Sequence, residues 1–327
     1  MRKAVIKCLF LTNFVIFAMT AAILLQTAGV IYAAPSSGRA EGKRLKIVTT
    51  IFPAYDFARA VAGDKADLSM LVRPGSEIHS FDPSPQDILL IHNADVFIHI
   101  GGERETWVET LLKSSESGKT AVRLIDHVYA VKEEIVEGMQ TENEEHENEE
   151  EEEYDEHIWT SPRNAVAMVG AIADALCEAD PSNAAEYSSR ADKYASAISE
   201  LDEEFKALVA SAKRKKIVFG DRFPFRYFVD EYGLDYRAAF PGCHTESDVS
   251  AATMAYLMRY MKNEGVPVVY KLELGNGNIA RAIAEQTGAE VLVLHSCHNV
   301  ARSEFDSGAT YVGLMRQNLE NLRKGLY

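Results

Sequence analysis

The chain has 327 residues, 47% of them apolar, and a formal net charge of −15. That length leaves room for two ordinary domains beyond a targeting segment, and the apolar share fits a globular fold. The negative balance excludes nucleic acid as a partner, and much of it is concentrated in one tract, residues 142–156, which suits the gathering of cations.

In chain order, a basic start (Arg2, Lys3, Lys7) precedes an apolar run from Cys8 to Ala34 and a small-residue zone around Ala33. The pattern predicts a secretory signal peptide or an uncleaved N-terminal anchor over residues 1–34. The remainder is then expected outside the cytoplasmic membrane, at its outer face or in a periplasm. Residues 35–44 read as a polar linker. Strands are expected at 45–51, 68–72, 94–100 and 121–124, with helices between them. Ser84 and Pro85 mark a helix start, as N-cap and first helical residue. After Pro162 the apolar spacing turns helical. Residues 183–213 then hold a 3/4 pattern through Tyr187, Ala191, Ile198, Leu201, Phe205 and Leu208 with no Gly or Pro, which predicts one long stiff helix. Strand–helix alternation resumes with strands at 216–219, 236–240, 266–271 and 290–294. The fold class is therefore α/β: two lobes of parallel sheet flanked by helices, residues 45–182 and 214–327, joined by the long helix.

Ligands of such sheets bind beyond the carboxyl ends of the strands, and the notable polar residues fall there. His79 follows the turn Arg73-Pro74-Gly75-Ser76 and precedes Phe81-Asp82-Pro83-Ser84-Pro85, where proline fixes the backbone. His157 closes the acidic tract inside Asp155-Glu156-His157-Ile158-Trp159-Thr160-Ser161-Pro162. His295 and His298 flank Cys297 after an apolar strand. Asp221 ends the strand Ile217-Val218-Phe219-Gly220, either as a carboxylate donor or as the N-cap of a following helix. Imidazoles with a carboxylate suit Zn²⁺ or a neighbouring divalent ion. The expected set is His79, His157, Asp221 and His295, with His298, His244 and Glu246 as alternatives. Three cysteines follow Ala34. Cys243 and Cys297, both in loop-like surroundings, are the expected bridge, and Cys177 is expected as a buried helix residue.

These pieces carry a family resemblance. IVTTIFPAYDFARAVAGD, RPGSEIHSFDPSPQDI, ADVFIHIGGERETWV, the acidic tract ending in DEHIWTSP, and TGAEVLVL together resemble the metal-binding solute-binding proteins of ABC transporters, in particular the zinc-uptake type. The resemblance spans the exported chain. It implies two α/β lobes bridged by a rigid helix, a metal between them, and two ligands from each lobe, with His79 and His157 at the first two places. At the third place relatives carry histidine or glutamate. Here the segment reads FGDRFPFRYF, and Asp221 is the nearest donor. At the fourth, usually acidic, place stands His295. A disulfide in the second lobe also occurs among such proteins.

The resemblance implies a zinc-binding protein, monomeric and not an enzyme, that hands Zn²⁺ to a membrane permease. A manganese-binding or adhesin-like member of the same fold is the alternative; manganese prefers more oxygen donors. A zinc hydrolase needs an open coordination position and a nearby base, and the chain has no HExxH clip.

Overall fold

The computed structural model describes residues 44–76, 81–102, 105–114, 120–139, 154–242 and 248–327. His79, His244, Glu246, Cys243, the expected signal segment and tract residues 142–153 lie outside the described residues. The first lobe runs β1 (Leu45–Thr49), α1 (Phe52–Ala62), β2 (Ala66–Met70), α2 (Pro85–His92), β3 (Val96–His99), α3 (Thr106–Ser114), β4 (Thr120–Arg123) and α4 (Pro162–Ala179). A 27-residue helix, α5 (Ala184–Ala210), follows. The second lobe holds β5 (Lys216–Phe223), α6 (Arg226–Tyr232), β6 (Asp235–Pro241), α7 (Ala251–Glu264), β7 (Val268–Lys271), α8 (Asn278–Thr287), β8 (Glu290–Val293), α9 (Arg302–Asp306) and α10 (Tyr311–Leu326).

Each lobe carries a four-stranded parallel sheet, in the orders β2-β1-β3-β4 and β6-β5-β7-β8. Both sheets therefore reverse strand order at the same relative place, between their first and third strands. Crevices at the carboxyl ends open there.

At ~1.5 Å per residue, α5 is about 40 Å long. Its one buried stripe, from Tyr187 through Phe205 to Val209, packs into the main apolar core, which includes residues of both lobes. A buried carboxylate adds polar ties. Asp56 on α1 accepts from the Tyr194 hydroxyl of α5 (2.5 Å) and from the Tyr311 N–H that opens α10 (2.7 Å).

The local start signal at α2 holds. The Ser84 hydroxyl accepts from Asp87 N–H, Asp87 accepts from Ser84 N–H, and Pro85 opens the helix. Three expectations are corrected. Strand β5 does not stop at Phe219 but continues to Phe223 through a register irregularity, so Asp221 lies within it. The following helix begins at Arg226 with no side-chain cap, so Asp221 is not its N-cap. Cys177 is half-buried rather than buried: its thiol reaches the Ala184 carbonyl (3.5 Å), a polar partner at the α4–α5 turn. Among the described residues no helix is long and apolar enough to cross a membrane.

Candidate metal site

The segment before α4 is fixed from both sides. Ser161 caps α4 by accepting from Asn164 N–H (3.3 Å), with Pro162 as first helical residue. Upstream, Lys132 and Tyr154 form an antiparallel bridge, and Asp155 N–H donates to the Val131 carbonyl (2.9 Å). Tyr227 of the second lobe binds both strands of this stem: its hydroxyl donates to the Asp155 carbonyl (2.7 Å) and accepts from Val131 N–H (3.2 Å).

His157 is thereby held in a buried position, 1% exposed. The Asp155 carboxylate accepts from its backbone N–H (2.8 Å) and faces its Nδ1 at 3.0 Å. A carboxylate there places the proton on Nδ1, which leaves the Nε2 lone pair as the ring's donor atom. The adjoining cleft is lined by Ser76, His157, Arg222, Pro224, Gly242, Leu272, Glu273, Leu274, Gly275, Ser296, His298 and Asn299. It lies at the crevice where β5 and β7 part. A second crevice, at the ends of β1 and β3, is lined by Thr50, Ile51, Ile100, Glu105, Trp107, Glu156 and Trp159 together with His298. His298 thus faces both crevices.

Gly242 approaches His157 closely. A Cβ at that position would stand 3.2 Å from His157 Cε1 and 3.0 Å from the Phe223 carbonyl oxygen. The absence of a side chain is what lets the second-lobe chain pass the imidazole.

The two lobes meet through the loop after β8. Trp159, fully buried, donates from Nε1 to the Ser296 carbonyl (2.8 Å), and its own carbonyl accepts from the Tyr311 hydroxyl (2.8 Å). Asn299 donates from Nδ2 to the carbonyls of Arg73 and Ser76, each at 2.9 Å. Gly75 N–H donates to the Val300 carbonyl (2.8 Å). The turn that leads into His79 is therefore fastened to the second lobe.

The expected second-lobe donors fall apart in space. Asp221 lies behind the cleft, with one carboxylate oxygen accepting from Leu272 N–H (3.1 Å) and the other from Arg222 N–H (2.9 Å). Burial raises its pKa, against the lowering effect of those two N–H groups. His295 points into its own lobe. Its backbone is held by the Asn318 amide, and its Nδ1 accepts from Cys297 N–H (3.0 Å). Burial opposes charge on this ring, but Glu273 (3.7 Å from Nδ1) and Glu304 (3.9 Å from Nε2) favour it and prevail, so its pKa sits well above the ordinary histidine value. Nε2 is buried without a hydrogen bond among the described residues, since 3.9 Å is beyond hydrogen-bond range.

His298 is the second-lobe imidazole beside His157. The ring centroids are 5.3 Å apart and the planes nearly perpendicular, at 88°. Among the described residues no three His, Cys, Asp or Glu side chains converge to hold a metal, so this pair is the core of the candidate site there. Cys297 is a buried free cysteine; its expected partner, Cys243, lies outside the described residues. Glu273, Trp159 and Asn299 were not among the expected site residues. Glu273 follows a strand in Tyr270-Lys271-Leu272-Glu273, a carboxylate at a strand's carboxyl end, and that was a usable signal.

Residues 47–325 match the family model for ZnuA, zinc-uptake complex component A, periplasmic. The chain is 32% identical over 292 residues to the zinc-binding protein AdcA of Streptococcus pyogenes serotype M3, covering 87% of this chain and 56% of AdcA. It thus spans about half the length of that relative. It is 31% identical over 317 residues to the high-affinity zinc uptake system protein ZnuA of Bacillus subtilis, covering 95% of this chain and 97% of ZnuA. Among solved structures, the Zn(II)-bound ZnuA-like domain of Streptococcus pneumoniae AdcA matches with a TM-score of 0.72 at 26% identity, over 87% of this chain and 99% of that one. The laminin-binding protein Lmb of Streptococcus agalactiae, described as bifunctional in adhesion and metal transport, matches with a TM-score of 0.73 at 25% identity, over 86% of this chain and 100% of that one. The chain belongs to the zinc-uptake component A family.

Proposed function

We propose that this chain captures Zn²⁺ outside the cytoplasmic membrane and passes it to the permease of an ABC transporter. The observation that carries the reading is His157: buried, with Nδ1 engaged by Asp155, it keeps Nε2 for a cation at a cleft between two lobes. His79, three residues after Ser76 in sequence, is the second first-lobe ligand in this reading. The match to zinc-binding relatives along nearly the whole described chain supports zinc as the cargo. A site closed by protein ligands holds the ion without a water to activate, which suits capture rather than hydrolysis.

Release follows from the architecture. The rigid α5 and the shared core oppose a wide hinge motion, so the moving parts are the loops that carry the ligands. The charge of the acidic tract raises the local concentration of cations around the chain. The test is competition titration of the metal-free chain with Zn²⁺ and Mn²⁺. Strong preference for Zn²⁺ is expected, and preference for Mn²⁺ would overturn the zinc assignment.

A further inference from the structure

We infer that the second lobe's imidazole ligand is His298, not His295 at the position where the family's usual ligand stands. The inference rests on the zinc-capture reading and names the residue that serves it.

Geometry supplies the first argument. With Zn–N bonds of ~2.0–2.1 Å and a tetrahedral angle, two imidazoles on one zinc have ring centroids roughly 5 Å apart. The His157–His298 separation is 5.3 Å. Both rings line the same cleft, together with Ser76 at the end of the turn leading to His79. His295 does not line that cleft, and it does not converge with the pair into a three-residue metal cluster.

The construction of the loop supplies the second. Cys297 is the one non-glycine residue with positive φ among the described residues, at 59°. Such a conformation costs on the order of 1–3 kcal/mol and persists only where its surroundings enforce it. Here they do. Glu273 accepts from Ser296 N–H (2.9 Å) and from the Ser296 hydroxyl (2.6 Å), and the same hydroxyl accepts from His298 N–H (3.1 Å). Asn318 holds the His295 backbone on both sides, accepting from its N–H and donating to its carbonyl. Trp159 grips the Ser296 carbonyl and lies 4.8 Å, centroid to centroid, from the His298 ring. Glu273, Asn318 and Trp159 thus hold the loop, and the product of that hold is the placement of His298 against His157.

The experiment compares the full-length chain with His157→Ala, His298→Phe, His298→Ala and His295→Gln by zinc competition titration, with circular dichroism to confirm folding. Phenylalanine keeps a ring against Trp159 but cannot ligate. His298→Phe and His298→Ala are each expected to weaken zinc binding by at least about 100-fold, as is His157→Ala, whereas His295→Gln weakens it by less than about 10-fold. Zinc addition to chain labelled with ¹⁵N-histidine should also shift the ring nitrogens of His298. If His298→Phe binds as the unmodified chain does, or if His295→Gln loses as much as His157→Ala while folded, this assignment falls and zinc capture stands. If the unmodified chain binds no zinc, both fall.

Discussion

Replacing Asp155 with alanine tests how much of the site's affinity resides in a residue that touches no metal. Asp155 is 1% exposed, and one of its carboxylate oxygens serves both the His157 backbone N–H and the ring Nδ1. Alanine removes both partners. The ring is then free to rotate and to place its proton on Nε2, the atom the metal needs. Loss of such a carboxylate behind a ligating histidine typically costs 10–100-fold in metal affinity, which is about 1.4–2.7 kcal/mol at ~1.4 kcal/mol per factor of ten. The buried His157 N–H is also left without its acceptor, at about 1–3 kcal/mol of folding stability. At roughly 2–4 °C per kcal/mol that lowers the melting temperature by about 2–12 °C. Competition titration against a chromophoric chelator reads the first quantity and calorimetry of the metal-free chain reads the second. Asparagine keeps a carbonyl acceptor and should recover part of both. Affinity unchanged in Asp155→Ala, with the expected melting shift present, would refute the tautomer argument while leaving the packing argument intact.

Three further outcomes follow from the same geometry. Asn299→Ala deletes two hydrogen bonds to the turn before His79. At about 1 kcal/mol each, zinc affinity should fall by about 10- to 30-fold, and amide hydrogen exchange of Gly75 and Ser76 should quicken. Asp221→Ala removes the carboxylate that accepts from the Leu272 and Arg222 N–H groups. Stability should drop by about 1–3 kcal/mol in urea melts with zinc affinity changed less than about threefold, because Asp221 lies behind the cleft. Removing residues 142–153 should leave the tight zinc affinity nearly unchanged and slow zinc capture at low ionic strength in stopped-flow measurements, since long-range attraction acts on encounter and is screened by salt.

Much of the fold could be read from the chain because it is written in short-range signals. Strand–helix alternation, the Ser84–Pro85 helix start and the uninterrupted 3/4 pattern of α5 are each carried by residues adjacent in sequence. The fixed position of His157 was legible for the same reason, framed by Asp155 on one side and by Ser161-Pro162 on the other. The arrangement of the second-lobe candidates was not. Asp221 looked like a residue beyond a strand end because the apolar run breaks at Gly220, yet β5 continues through it, sustained by pairing with β6. Choosing between His295 and His298 depends on which way a strained Cys297 turns the chain, and on Glu273, 23 residues before the serine it holds. The Trp159 and Asn299 contacts join residues 137 and more than 220 positions apart. No local pattern encodes such pairs.

The Lys132–Tyr154 bridge has a consequence for how this chain can vary. It fixes both feet of the acidic excursion at one point, with the Tyr227 hydroxyl bound to the stem on both sides. Lengthening the sequence between those feet costs little in closure entropy, about 0.6 kcal/mol for each doubling. Glutamates can be added or removed there in number without disturbing His157 one turn of chain away. The quantity of stored negative charge is uncoupled from the precision of the ligand, so the two can drift independently under selection.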